Sequence, residues 1–117
     1  MKLFTYGTLK RGFPLHHLLG GSEFLGVAET VEYMAMYAGR VPFVTERQRV
    51  SPIHGELFSV DGATLSVLDM VEGHPINYQR RKTKVRDRDG DEHRAWLYFY
   101  DHPIEHLNSV PTGRYES

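Results

Sequence analysis

The sequence has no cysteine among its 117 residues. Disulfides, thiolate nucleophiles and cysteine-ligated zinc are therefore excluded outright. No charge is in excess either: 14 Lys and Arg stand against 15 Asp and Glu, for a formal charge of -1. A nucleic-acid binder ordinarily carries a basic excess or stripe, so nucleic acid is not an expected partner. The same balance argues against an anchor on an anionic membrane. No apolar run approaches membrane-spanning length. The N-terminal Lys2-Leu3-Phe4-Thr5-Tyr6 reads directly as a strand, without the basic region and long apolar run of a signal peptide. A cytoplasmic location is the default expectation.

Several catalytic signatures are missing as well. There is no G-x-S-x-G serine elbow, no G-x-G-x-x-G and no P-loop, so a nucleotide cofactor is not indicated. The seven histidines show no metal-binding spacing. His16 and His17 are adjacent and diverge around a helix, and Pro103 interrupts the pair His102 and His106. No metal site and no cofactor are expected.

What is present is ordinary globular composition, 40% hydrophobic and 25% charged. The length suits one domain spanning 1–117, able to bury about two-thirds of its unfolded surface. Leu3 to Tyr6 reads as a short strand ending at Gly7. Pro14 suits the first position of a short helix carrying Leu15, Leu18 and Leu19, closed by Gly20-Gly21. Phe24 to Tyr37 reads as one or two strands with a bend near Glu29 to Glu32. Val41-Pro42-Phe43-Val44 suits an edge or a packed loop, and His54 to Val60 another strand.

Asp61 is a good N-cap for the strongest helix, Gly62 to Val71, with an apolar stripe of Leu65, Leu68 and Val71. Gly73 suits its left-handed end, and Pro75 forbids continuation. Tyr78 to Arg86 and Arg94 to Tyr100 form a hairpin across Asp89-Gly90. The second of these strands is apolar on both faces and so reads as central. Asp101 to Ser117 has no periodicity and reads as a surface tail. Six short strands and one or two helices, mostly antiparallel, fit an α+β domain, and a small barrel would remove its exposed edges.

Three stretches could carry chemistry. At Tyr6-Gly7-Thr8-Leu9 a strand ends in a glycine turn whose N–H groups could point into one concavity and hold an anion. Taken alone, an ordinary turn is the favoured reading. Glu72 sits in the last helical turn, the wrong end of the dipole for a negative charge, at a cost of roughly 0.3–1 kcal/mol. A carboxylate there, if desolvated, would have a raised pKa and could both take and give a proton near neutral pH. A solvated surface glutamate is the alternative. Tyr78 and Tyr115 could each offer a hydroxyl to a substrate or serve as half-buried core rings. Arg80 reads as the partner of a carboxylate such as Asp69.

In their order these pieces are more specific than they are apart. Tyr6-Gly7-Thr8-Leu9, Val41-Pro42-Phe43, Gly55-Glu56-Leu57-Phe58, Leu68-Asp69-Met70-Val71-Glu72-Gly73-His74-Pro75 and Tyr78-Gln79-Arg80 follow one another from Lys2 to about Tyr100, with an echo at Gly113-Arg114-Tyr115. This series resembles the γ-glutamylcyclotransferase-like, or AIG2-like, family. Lys10-Arg11-Gly12, Pro14 and His16 most resemble its γ-glutamylamine cyclotransferase branch.

The resemblance implies a small, mixed, mostly antiparallel β-barrel with short helices. It implies a pocket lined by Tyr6, Gly7, Thr8 and Leu9, with Tyr78 and Tyr115 as further substrate contacts and Glu72 as catalytic acid/base. The implied reaction cyclises a γ-glutamyl group to 5-oxoproline and releases a free amine, without metal or organic cofactor. The implied partner is a small γ-glutamyl substrate, and a monomer is expected. γ-Glutamyl amino acids, glutathione or a biosynthetic γ-glutamyl intermediate remain alternative substrates. A non-catalytic binding module on the same scaffold is the alternative from another class.

Overall fold

The computed structural model describes residues 1–116. Five strands, β1 (Lys2–Thr5), β5 (His54–Ser59), β2 (Glu23–Thr30), β6 (Gln79–Asp87) and β7 (Glu92–Phe99), close into a barrel in that spatial order. The β1–β7 contact that closes it is parallel, with Leu3 opposite Trp96, and the other barrel pairings are antiparallel. Beside the barrel lies a three-stranded sheet of β4 (Pro42–Thr45), β3 (Ala35–Ala38) and β8 (Asn108–Ser109). One α-helix, α1 (Gly62–Glu72), follows β5. Among the described residues no helix is long and apolar enough to cross a membrane.

Strand side chains alternate between faces, and here both faces are covered. Phe4, Leu57, Ala95, Leu97 and Phe99 join one buried cluster with Met36 and Val44 of the smaller sheet. The neighbouring Leu3, Phe58 and Tyr98 point the other way, onto Leu65 and Leu68 of α1 and onto Leu19. Each fully buried Leu or Phe contributes roughly 1.5–3 kcal/mol. Two-sided burial is the reason residues 95–100 carry no polar face.

The capping of α1 follows the sequence. Asp61 accepts the Thr64 N–H at 2.7 Å. Gly73 adopts the left-handed conformation (φ 66°, ψ 37°) that a side chain would resist.

Four readings are corrected. The segment after Pro14 forms only a single 3-10 turn, His16–Leu19, too short to sustain α-helical bonding. Val71 is 48% exposed, because the last turn of α1 overhangs the end of the helix's contact with the barrel; only Leu65 and Leu68 of the helix are buried. Among the described residues eight strands form where six were expected, since Phe24 to Tyr37 divides into β2 and β3 and both β4 and β8 pair. The C-terminal segment is also tied down more firmly than a surface tail. Asn108 and Ser109 pair with Ala38 and Tyr37, and the carbonyl of Gly113 accepts the His54 N–H at 2.9 Å. A two-residue strand is too short to leave a periodic signal.

Candidate active site

Beyond the end of β1 the chain turns through Gly7, Thr8 and Leu9 under the overhanging end of α1. A cavity of about 140 Å³ lies between them. Tyr6, Gly7, Thr8, Leu9, Glu72 and Tyr78 all line it, together with Leu15, Val41, Pro42, Val71 and Tyr98. Two stretches more than 60 residues apart in sequence therefore meet at one site.

The turn is held by its carbonyls. Those of Gly7 and Thr8 accept the N–H groups of Lys10 (3.0 Å) and Leu15 (2.9 Å). Nδ1 of His16 lies 3.0 Å from the Leu9 carbonyl, so the ring donates from that nitrogen. Among the described residues the N–H groups of Gly7, Thr8 and Leu9 donate to no protein acceptor. The loop thus turns its acceptors into the protein and leaves a run of donors at the cavity, a suitable cradle for an anion. Gly7 is needed here for space. It has no positive φ, but a Cβ added to it would collide with the ring of Pro42.

Opposite stands Glu72, the last residue of α1. Among the described residues nothing pairs with its carboxyl or hydrogen-bonds to it. Burial lifts its pKa from 4.5 to about 7. The sequence suggested the helix end as a contributor, but desolvation is the cause here.

The cavity's phenol hydroxyls point elsewhere. Tyr6 donates to the carbonyl of Tyr98 at 2.7 Å, Tyr98 to the carboxylate of Asp69 at 2.7 Å, and Tyr78 to the carbonyl of Pro42 at 3.3 Å. Burial raises the pKa of all three phenols, and the nearby Glu72 charge adds to this. Asp69 receives Nε and Nη2 of Arg80 at 2.8 and 3.0 Å, the pairing expected from the sequence. Burial pushes the Asp69 pKa up, but the bonds from Arg80 and Tyr98 outweigh it and the net shift is downward.

Tyr115 is not brought to this cavity. Its ring packs on Phe13 at 5.7 Å, and it lines a separate cleft of about 450 Å³ across the outer face of β2, β5 and the end of β6. Conversely, sequence reasoning missed Tyr98, because nothing in an all-apolar strand marks one ring as facing a cavity. It also passed over Pro42 as anything more than edge or loop. The Gly7 turn and the proline of Val41-Pro42-Phe43 were both visible, but their contact was not.

Comparison with known proteins bears on the family and the fold. The family model described as gamma-glutamyl cyclotransferase, AIG2-like, matches residues 3–117. A Methanocaldococcus jannaschii protein that carries the gamma-glutamylcyclotransferase name as an undemonstrated assignment is 43% identical over 99 residues, covering 84% of this chain and 82% of its own. The crystal structure of a mouse AIG2-like protein superimposes with a TM-score of 0.86 at 29% identity, over 98% of this chain and 87% of the mouse chain. The solution structure of Escherichia coli YtfP gives a TM-score of 0.70 at 27% identity, over 98% and 96% of the two chains. With the motifs in order, the barrel closed and the family model spanning nearly every residue, the chain belongs to the gamma-glutamyl cyclotransferase, AIG2-like family.

Proposed function

We propose that this protein is a γ-glutamylamine cyclotransferase, converting the γ-glutamyl group of its substrate to 5-oxoproline and releasing a free amine. One observation carries the reading: an unpaired, half-buried carboxyl with a pKa near 7 shares a small cavity with uncommitted backbone N–H groups.

The chemistry needs little else. The substrate's α-ammonium loses a proton to Glu72, and the free amine attacks the γ-carbonyl carbon to close a five-membered ring. The resulting oxyanion reforms the carbonyl as the C–N bond to the leaving amine breaks; Glu72 gives its proton to that nitrogen, then takes the second proton from the ring nitrogen and passes it to the released amine or to solvent. A pKa near 7 suits a group that must act in both directions. The N–H groups of Gly7, Thr8 and Leu9 hold the substrate carboxylate or the developing oxyanion. Holding the folded conformer supplies several kcal/mol of the barrier. The hydroxyls of Tyr78 and Tyr98 donate to protein acceptors, which leaves lone pairs on their oxygens to suit an ammonium group.

The lining also favours an amine over an α-amino acid as leaving group. No Lys or Arg lines the cavity, and Leu9, Leu15, Val41, Pro42 and Val71 make its apolar wall. A γ-glutamyl α-amino acid would bring a second carboxylate against that wall without a cation. A γ-glutamyl-ε-lysine lays four methylenes there and carries its charges beyond the cavity.

The test is a panel of γ-glutamyl-ε-lysine, a γ-glutamyl α-amino acid and glutathione, assayed for 5-oxoproline. The lysine compound should lead by about tenfold or more in kcat/KM. Equal or better turnover of either other compound would refute the amine preference. Calorimetric binding with no 5-oxoproline from any of them would refute the enzyme reading.

A further inference from the structure

We propose that Asp69 is a positioning residue: by accepting the Tyr98 hydroxyl proton while Arg80 is clamped beside it, it keeps that hydroxyl from turning to the Glu72 carboxyl.

Asp69 lies one helical turn before Glu72 on α1, so both side chains face the barrel end. Its Oδ1 accepts the Tyr98 hydroxyl at 2.7 Å and Arg80 Nε at 2.8 Å, and its Oδ2 takes Arg80 Nη2 at 3.0 Å. The guanidinium is stacked 4.1 Å over the Trp96 ring, and the Arg80 N–H is tied to His74 Nδ1 at 3.0 Å. Tyr98 lines the same cavity as Glu72. A phenol that rotated toward Glu72 would donate to the carboxylate and stabilise its charged form. The other ionisable groups facing Glu72 are Tyr6 from the end of β1 and Tyr78 ahead of β6, and both are committed to carbonyls. Of the three phenols, only Tyr98 is held by a side chain, so a single substitution can release it.

The basicity of Glu72 is then a property of the whole cluster. An exposed Asp–Arg pair would contribute little. This one is half-buried, and its work is to occupy the Tyr98 hydroxyl that would otherwise quench the neighbouring base, while Arg80 stays stacked on Trp96.

This role rests on Glu72 acting as the acid/base, and the test reads the carboxyl directly. Carbon-detected NMR of the Glu72 side chain gives its titration midpoint in the parent, in Asp69→Ala, in Tyr98→Phe and in the double variant. Asp69→Ala should lower the midpoint from about 7 to about 6, and the acid limb of kcat/KM should move with it. Tyr98→Phe alone should keep the parent midpoint, since its hydroxyl never reaches Glu72. Adding Tyr98→Phe to Asp69→Ala should recover more than half of the shift, and Asp69→Asn, which still offers an acceptor, should stay near the parent. An Asp69→Ala midpoint that is unmoved, or that stays low in the double variant, overturns the proposal. Failure of the parent to release 5-oxoproline would sink the functional reading while the midpoints still decide this one.

Discussion

Two concave regions of the molecule contrast, and the smaller of them is the one suited to chemistry. In the cleft of about 450 Å³ most of the lining charges already have partners, and Arg88, Arg114 and Glu116 stand exposed to solvent. Glu56 takes the Arg11 N–H at 2.8 Å, Asp87 pairs with His93 at 2.7 Å, Arg86 reaches Glu92 at 3.1 Å, and Lys10 donates to the Tyr115 carbonyl at 2.8 Å. The cavity of about 140 Å³ has one carboxyl, no cation, and donors that bond to nothing in the protein. Volume therefore does not mark the site. Uncommitted polar groups in a desolvated place do, because only there is free energy held back for a ligand.

The hardest blow to this contrast is Glu72→Gln. The amide cannot carry the proton, so turnover should fall by about 10²–10⁴ while circular dichroism and melting at acid pH stay as in the parent. Retention of most of the rate would remove Glu72 from the mechanism.

The same substitution sharpens the contrast through stability. Burial raises the Glu72 pKa above its unfolded value, so between about 4.5 and 7 the folded state binds the extra proton. Stability supplied by this group is present below that window and lost as pH rises through it. Glu72→Gln should therefore melt like the parent at pH 4 and above it at pH 8, by up to about 3 kcal/mol. A gain independent of pH would mean that Glu72 is solvated.

Gly7→Ala tests the cradle. The new methyl meets Pro42, so one wall must give, at about 1–3 kcal/mol. 5-Oxoproline release should fall further than stability does, since the N–H groups move with the loop. Near-parent kinetics would show that the close approach is incidental.

Smallest of all, Arg86→Ala in the large cleft breaks an exposed pair with Glu92 and should change stability by less than about 1 kcal/mol. Cyclotransferase activity should stay within about twofold. A large loss would mean that the two regions are coupled.

Much of this was legible beforehand, but unevenly. Asp61 and Gly73 fixed both ends of α1 because caps are read within a few residues. The apolar run 95–100 announced a strand buried on two sides, and it is one. Tyr115 went astray because the motif places it in order along the chain but says nothing of which face it reaches. Val71 looked like core by spacing, yet spacing does not know where the barrel ends.

By itself the sequence determined the elements, the caps, the chain order of the motifs and the misplaced charge at a helix end. These are short-range properties, set by backbone preference and by periodicity over a few residues. Tertiary structure alone decided that Glu72 is desolvated, that Pro42 closes on Gly7, and that Tyr6 and Tyr98 spend their protons across the barrel, the first of these bonds spanning 92 residues. Desolvation and hydrogen-bond commitment depend on what the chain brings alongside from far away, and no local pattern encodes that.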